Sequence, residues 1–204
     1  KAENLPVVVW IHGGGMYGGT AAVPVQNGAN LAKRGAIVVT INYRLGIFGF
    51  FSHPELSAES PEHVSGNQGI LDQIAALRWG KNNIAAFGGD PNSVTIMGNS
   101  SGGESVALLV ASPLAKGLFQ RAVAESGNDA MPISPDDNQR FNQKSTAEAN
   151  GLAFARGVGA EHLADLLKMS VKGLQKQAWL PRVYVYGYLL QSDLTTLYRH
   201  HLEN

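Results

Sequence analysis

Cysteine is absent from all 204 residues, which excludes disulfide staples and thiolate metal sites and leaves the compartment open. Charge of either sign is scarce and balanced: 16 Lys plus Arg stand against 16 Asp plus Glu, with no charge runs. A neutral chain of this kind offers nothing to nucleic acid or to an anionic membrane surface. No apolar run approaches the roughly 20 residues of a membrane span, and no basic-then-apolar stretch opens the sequence. No His or carboxylate pair sits at a ligand spacing such as H-E-x-x-H, so neither metal nor cofactor is expected. Internal repeats and low-complexity segments are also missing. What remains is a globular composition, 44% hydrophobic and with 24 glycines, long enough to bury one large core.

The most informative stretch is SVTIMGNSSGGESVALLVASP, residues 93 to 113. A β-branched run (Val94, Thr95, Ile96) meets a Gly-Asn-Ser-Ser-Gly turn and continues as an apolar helix-forming run (Val106 to Val110), which reads as strand, tight turn, helix. A G-x-S-x-G pentapeptide in that setting is a nucleophile elbow: Gly98 and Gly102 remove the Cβ atoms that would collide, and Ser100 is pushed out above the sheet. The helix that follows aims free N–H groups and its positive dipole end at the same point.

Residues 5 to 12, LPVVVWIH, form a continuous apolar run of the kind seen in a strand buried on both faces, and HGGGMYGG follows at once. Three glycines after a strand let main-chain N–H groups turn toward a ligand. The Lys-Ser/Thr ending of a phosphate-binding P-loop is missing, as is GxGxxG spacing to a helix, so an oxyanion hole is the better reading. In such a hole the donors are the N–H of Ser101, after the nucleophile, and those of Gly14 or Gly15.

A helix-like segment then leads to a second buried-strand pattern, AIVVTINYRL, which makes a strand–helix–strand unit and hence a parallel sheet. Residues 46 to 66 have Pro, Ser and Gly without periodicity and read as a long surface loop. Phe48, Phe50 and Phe51 either anchor that loop or line a pocket mouth. Ile70, Leu71, Ile74, Leu77, Ile84 and Phe87 fall at helical spacing before Gly88-Gly89. A short strand is expected within residues 118 to 127, two or three amphipathic helices within 145 to 178, and a final helix after the apolar run RVYVYGYLL.

The blocks HGGGMYGG, NYRLGIFGF, GNQGILDQIAALRW, FGGDPNSVTIMGNSSGG and SPLAKGLFQRAVAESG resemble, in order and spacing, those of type B carboxylesterases, the family that includes p-nitrobenzyl esterases and cholinesterases. The resemblance implies an α/β-hydrolase fold, a mostly parallel central sheet with helices on both faces, and hydrolysis of a small-molecule carboxylic ester. Ser100 matches the family's nucleophile, which works through an acyl-enzyme intermediate and an HGGG-type oxyanion hole. The family's motif is usually Gly-Glu-Ser-Ala-Gly, so Asn99 stands in place of Glu and Ser101 in place of Ala. Loss of that carboxylate puts cation-selective substrates in doubt. Met16, Tyr17 and Asn99 are the residues expected to face the substrate, and their mix favours an apolar group without fixed charge.

In this fold the acid and base follow the nucleophile in the chain. Of the six histidines, His12 belongs to the glycine loop, His53 and His63 precede Ser100 in the predicted surface loop and are expected to be solvated, and His162 opens an amphipathic helix. His200 and His201, with Asp193, are the only downstream set, but helix-like sequence between acid and base leaves no strand to carry a His loop. Residues 1 to 204 are therefore expected to be one partial α/β-hydrolase domain, lacking N-terminal strands and the C-terminal half of the triad, and incomplete for catalysis alone. The remainder of the same enzyme is the expected partner. Two other readings are a non-catalytic cholinesterase-like adhesion module, against which the retained Ser100 counts, and one chain of a nicked or split esterase.

Overall fold

The computed structural model describes residues 4–127, 144–177, 179, 183–184, 188–191 and 194–199. Four parallel strands form one sheet in the order β2-β1-β3-β4: β1 is Leu5–Ile11, β2 Ile37–Ile41, β3 Gly89–Asn99 and β4 Arg121–Glu125. The first crossover carries α1 (Ala29–Ala32), the second α2 (Gly46–Phe50), α3 (Pro54–Glu59) and α4 (Gln68–Asn83), and the third α5 (Ser101–Ala111). Beyond β4 lie α6 (Lys144–Gly157), α7 (Leu163–Lys168), α8 (Val171–Gln175) and α9 (Leu194–Arg199). None of the described helices is long and apolar enough to cross a membrane.

Strand register explains the core. Val7, Val9 and Ile11 pair with Ile37, Val39 and Ile41 on one side and with Val94, Ile96 and Gly98 on the other, so all of these point to one face. That face packs against Ile70, Ile74, Leu77 and Ile84 on and just past α4, and against Val106, Leu108 and Leu109 of α5. Val8, Trp10, Val38, Thr95 and Met97 point to the opposite face and are only half-buried. There Gly28, at the start of α1, lies so close to Val38 that a Cβ at position 28 would strike its side chain. Helices therefore flank the sheet on both sides, and among the described residues β1 is buried on one face and half-buried on the other. On that second face α1 packs against β2.

The segment 46 to 66 departs further from the surface loop expected. It holds α2 and α3, and it is largely interior: Phe50, Ser52 and His53 are at most 1% exposed. Phe51 sits edge-on to Phe154 and to Trp179, with ring centroids 5.6 and 5.1 Å away. Ser65 ties the segment together through hydroxyl contacts with Ser52 (3.1 Å) and Ser57 (2.8 Å). Buried hydroxyl pairs satisfy one another, which is why a Ser-rich stretch here is compatible with an interior. Phe48, in contrast, stays 39% exposed. Phe87, assigned to the apolar face of α4, is 61% exposed and packs on Trp79.

The strand in 118 to 127, the helices in 145 to 178 and the final helix lie where the sequence puts them. β4 is the outermost strand among the described residues, and its five residues are exposed there. Ile96 is fully buried at the centre of β3, so Ile96→Ala should cost about 2–5 kcal/mol. Ile96→Val, which removes only one methyl group, should cost about 0.5–1.5 kcal/mol. Urea unfolding of the two variants in the full-length protein checks the order.

Candidate active site

Parallel pairing sets Ile11 opposite Gly98, so β1 and β3 deliver the segments after them to the same edge of the sheet. Ser100 lies between Asn99, the last residue of β3, and Ser101, the first of α5. Its backbone has φ 57° and ψ −129°, a conformation that costs a residue with a side chain about 1–3 kcal/mol. Neighbouring groups hold it there: the Ser100 N–H donates to the Glu125 carbonyl at 2.8 Å, and the Glu104 N–H donates to the Ser100 carbonyl at 3.0 Å. A Cβ on Gly98 would strike the Gly102 carbonyl, and one on Gly102 would strike the Ile11 carbonyl. Ser100 is left exposed above this close-packed turn.

The glycine loop passes directly beneath. A Cβ at Gly13 would lie 2.5 Å from the Asn99 carbonyl oxygen and 3.1 Å from the Ser100 Cβ. Gly14, Gly15 and Met16 follow with φ 119°, 64° and 62°, a left-handed run that glycine tolerates and that strains Met16. The Gly18 N–H closes the loop onto the Gly14 carbonyl at 3.0 Å. Among the described residues none accepts a hydrogen bond from the N–H of Gly14, Gly15 or Ser101. The end of α5 with its uncompensated donors adds positive potential to the same spot.

Behind the loop is a polar junction that sequence reading missed. The Met16 N–H donates to Ser101 Oγ at 3.3 Å, and the Tyr43 hydroxyl donates to the His12 carbonyl at 2.8 Å. The His12 and Tyr43 rings stack at 4.5 Å, and the buried His12 gives its Nδ1–H to the Gly13 carbonyl. Burial pushes the Tyr43 phenol up to about 12; a hydrogen bond with the Ser101 hydroxyl opposes this and the Glu104 carboxylate adds to it. Tyr43 is thus a neutral donor throughout the ordinary pH range. Its position straight after a strand, in the NYR block, was the available signal.

Of the residues expected to face substrate, Tyr17 is 69% exposed and Met16 only 3%. Met16 joins the main core, while Tyr17 lines a cavity of about 720 Å³ with Tyr43, Ile47, Phe48, Leu174 and Trp179. Asn99 is exposed and its amide reaches the Glu125 carbonyl at 3.4 Å. Among the histidines, His63 is exposed as expected, whereas His53 is buried and caps α3 by accepting from the Glu55 N–H at 3.3 Å. The His53 solvation expected from sequence fails because its segment is folded inward. His162 caps α7 and stays exposed. Asp193, His200 and His201 lie outside the described residues. No group of three or more His, Asp or Glu among the described residues is placed to hold a metal ion.

A model of the carboxylesterase family matches residues 1–188. The chain belongs to that family. It is 47% identical over 162 residues to the fumonisin B1 esterase of Sphingopyxis macrogoltabida, covering 79% of this chain and 28% of that protein. To the para-nitrobenzyl esterase of Bacillus subtilis it is 46% identical over 180 residues, 87% of this chain and 34% of the relative. The crystal structure of the carboxylesterase EST55 of Geobacillus stearothermophilus superposes with a TM-score of 0.84 at 36% identity, over 99% of this chain and 42% of that one. The parallel sheet flanked by helices is therefore part of an α/β-hydrolase fold. This carboxylesterase-family chain spans about a third of the length of the curated relatives it matches.

The close contacts at the elbow give a direct check. Gly102→Ala places a methyl group against the main chain of Ile11 and His12, so the full-length variant should melt several degrees lower or fail to accumulate. Gly80→Ala, inside α4 with nothing within 4 Å of the new Cβ, should melt at the same temperature or slightly higher.

Proposed function

We propose that the protein hydrolyses carboxylic esters by two-step acyl transfer with Ser100 as nucleophile. The observation that carries this reading is the strained, outward-facing Ser100 with the glycine loop packed against it. Ser100 Oγ attacks the ester carbonyl carbon as a base removes its proton, and the C–O bond to the alcohol breaks as that proton passes to the leaving oxygen. Water then adds to the acyl-enzyme and releases the acid, returning the proton to Ser100. The negative oxygen formed in each step is held by the N–H groups of Gly14, Gly15 and Ser101, which no described residue engages. The base and the acid that orients it come from the enzyme outside the described residues.

The serine mechanism calls for no metal or cofactor. Tyr17 and Phe48 flank the cavity beside the glycine loop, which supports an ester with an apolar acyl or alcohol group. Asn99 carries no charge beside the nucleophile, so neutral esters fit better than cationic ones. Family membership and the names of the esterases above support ester hydrolysis as the class of reaction.

Full-length protein treated with a fluorophosphonate should carry the label on Ser100 alone, read by peptide mass spectrometry. Ser100→Ala should remove the label and lower kcat by at least about 10³-fold; labelling elsewhere, or undiminished turnover, refutes the assignment. Asn99→Glu tests the charge preference. It should raise kcat/KM for a choline ester relative to a neutral ester of equal size, and an unchanged ratio would make Asn99 irrelevant to selectivity.

A further inference from the structure

The glycine triplet has no side chains with which to hold its own position, so something else must set where its N–H groups point. Both of its ends are held by one pair of hydroxyls. At the start, the His12 carbonyl accepts from the Tyr43 hydroxyl at 2.8 Å. At the far end, the Met16 N–H donates to Ser101 Oγ at 3.3 Å, a contact spanning 85 residues of sequence. The Ser101 hydroxyl lies beside the Tyr43 phenol. The phenol proton is committed to the His12 carbonyl, and a lone pair of the Ser101 hydroxyl takes the Met16 N–H. Two separate bonds therefore hold the loop, one from the Met16 N–H to Ser101 and one from Tyr43 to the His12 carbonyl.

Ser101 is itself immobile. It is 5% exposed, and its carbonyl accepts from Ser105 Oγ at 2.9 Å, which in turn accepts from the Gln73 amide at 3.1 Å. The Met16 carbonyl accepts from the Gly46 N–H at 2.8 Å, so the left-handed Met16 is fixed from both sides.

We propose that the Ser101 side chain is a positioning residue, whose hydroxyl sets the register of the Gly13–Gly14–Gly15 loop against the elbow that carries Ser100. This rests on the reading of Ser100 and the loop given above. It goes beyond that reading in giving the side chain a task separate from the Ser101 main-chain N–H. Without the hydroxyl, the buried Met16 N–H loses its acceptor and the loop can relax away from the elbow. Donors aimed at a developing oxyanion act on the transition state and leave ground-state binding nearly untouched.

The test uses full-length enzyme and p-nitrophenyl esters. Ser101→Ala should lower kcat about tenfold, less than the loss of a whole oxyanion donor, with KM changed less than about twofold. The affinity of a trifluoromethyl ketone, which forms the tetrahedral adduct, should weaken by the same factor as kcat/KM. Tyr43→Phe, which releases the other end of the loop from the His12 carbonyl, should act in the same direction. Unchanged kcat in Ser101→Ala with normal labelling of Ser100 overturns the inference alone. Full turnover in Ser100→Ala overturns the underlying reading and this inference with it.

Discussion

Main chain packed directly on main chain is the constraint from which the rest of this structure follows. At the C-terminal edge of the sheet, Gly102 sits against the Ile11 carbonyl, Gly98 against Gly102, and Gly13 against the Asn99 carbonyl. No side chain fits between β1, the elbow and the glycine loop, so α5 must start immediately where β3 ends. That placement lays Val106, Leu108 and Leu109 over Val9, Ile11 and Ile96 and closes the main core. The strain at Ser100 is tolerated because the surrounding packing and the hydrogen bonds to Glu125 and Glu104 leave the turn no alternative path.

Polar side chains join what regular structure does not. Asn67 pairs with both main-chain groups of Tyr184, at 2.7 and 2.9 Å, and Ser112 donates to the Leu189 carbonyl at 2.7 Å. Each such bond contributes about 1 kcal/mol net, but leaving a buried partner unmatched costs more, so these contacts specify where a segment docks. Arg44 grips Asp72 through two side-chain bonds of 2.8 Å and its own N–H at 3.0 Å. With Arg44 half-exposed, that pair orients the turn after β2 against α4 more than it adds stability.

Failures of sequence reading cluster where burial depends on distant partners. The 46 to 66 segment lacks periodicity because it is built of two short helices and a knot of serine hydroxyls. Its Phe51 is covered by Phe154 and Trp179, more than 100 residues further along the chain. His53 goes inward with it. The apolar β1 run was legible as a strand, but a period-2 signal cannot be read from Val-Val-Val-Trp-Ile, and only the register with β2 and β3 sorts its residues into two faces.

By itself the sequence determined the strand, elbow and helix around Ser100 and the glycine loop after β1. These are steric consequences of local residues, since a Gly-x-Ser-x-Gly turn between β-branched and helix-forming runs has few other ways to fold. It also determined the parallel order, because helical segments between buried strands force crossovers. Tertiary structure alone decided that Met16 enters the core while Tyr17 stays out, that the Ser101 hydroxyl meets the Met16 N–H, and that the Tyr43 hydroxyl meets the His12 carbonyl. A hydroxyl or a thioether carries no mark of its partner. Those partners are set by which strands lie side by side, and the distance along the chain between them hides the contact until the sheet is assembled.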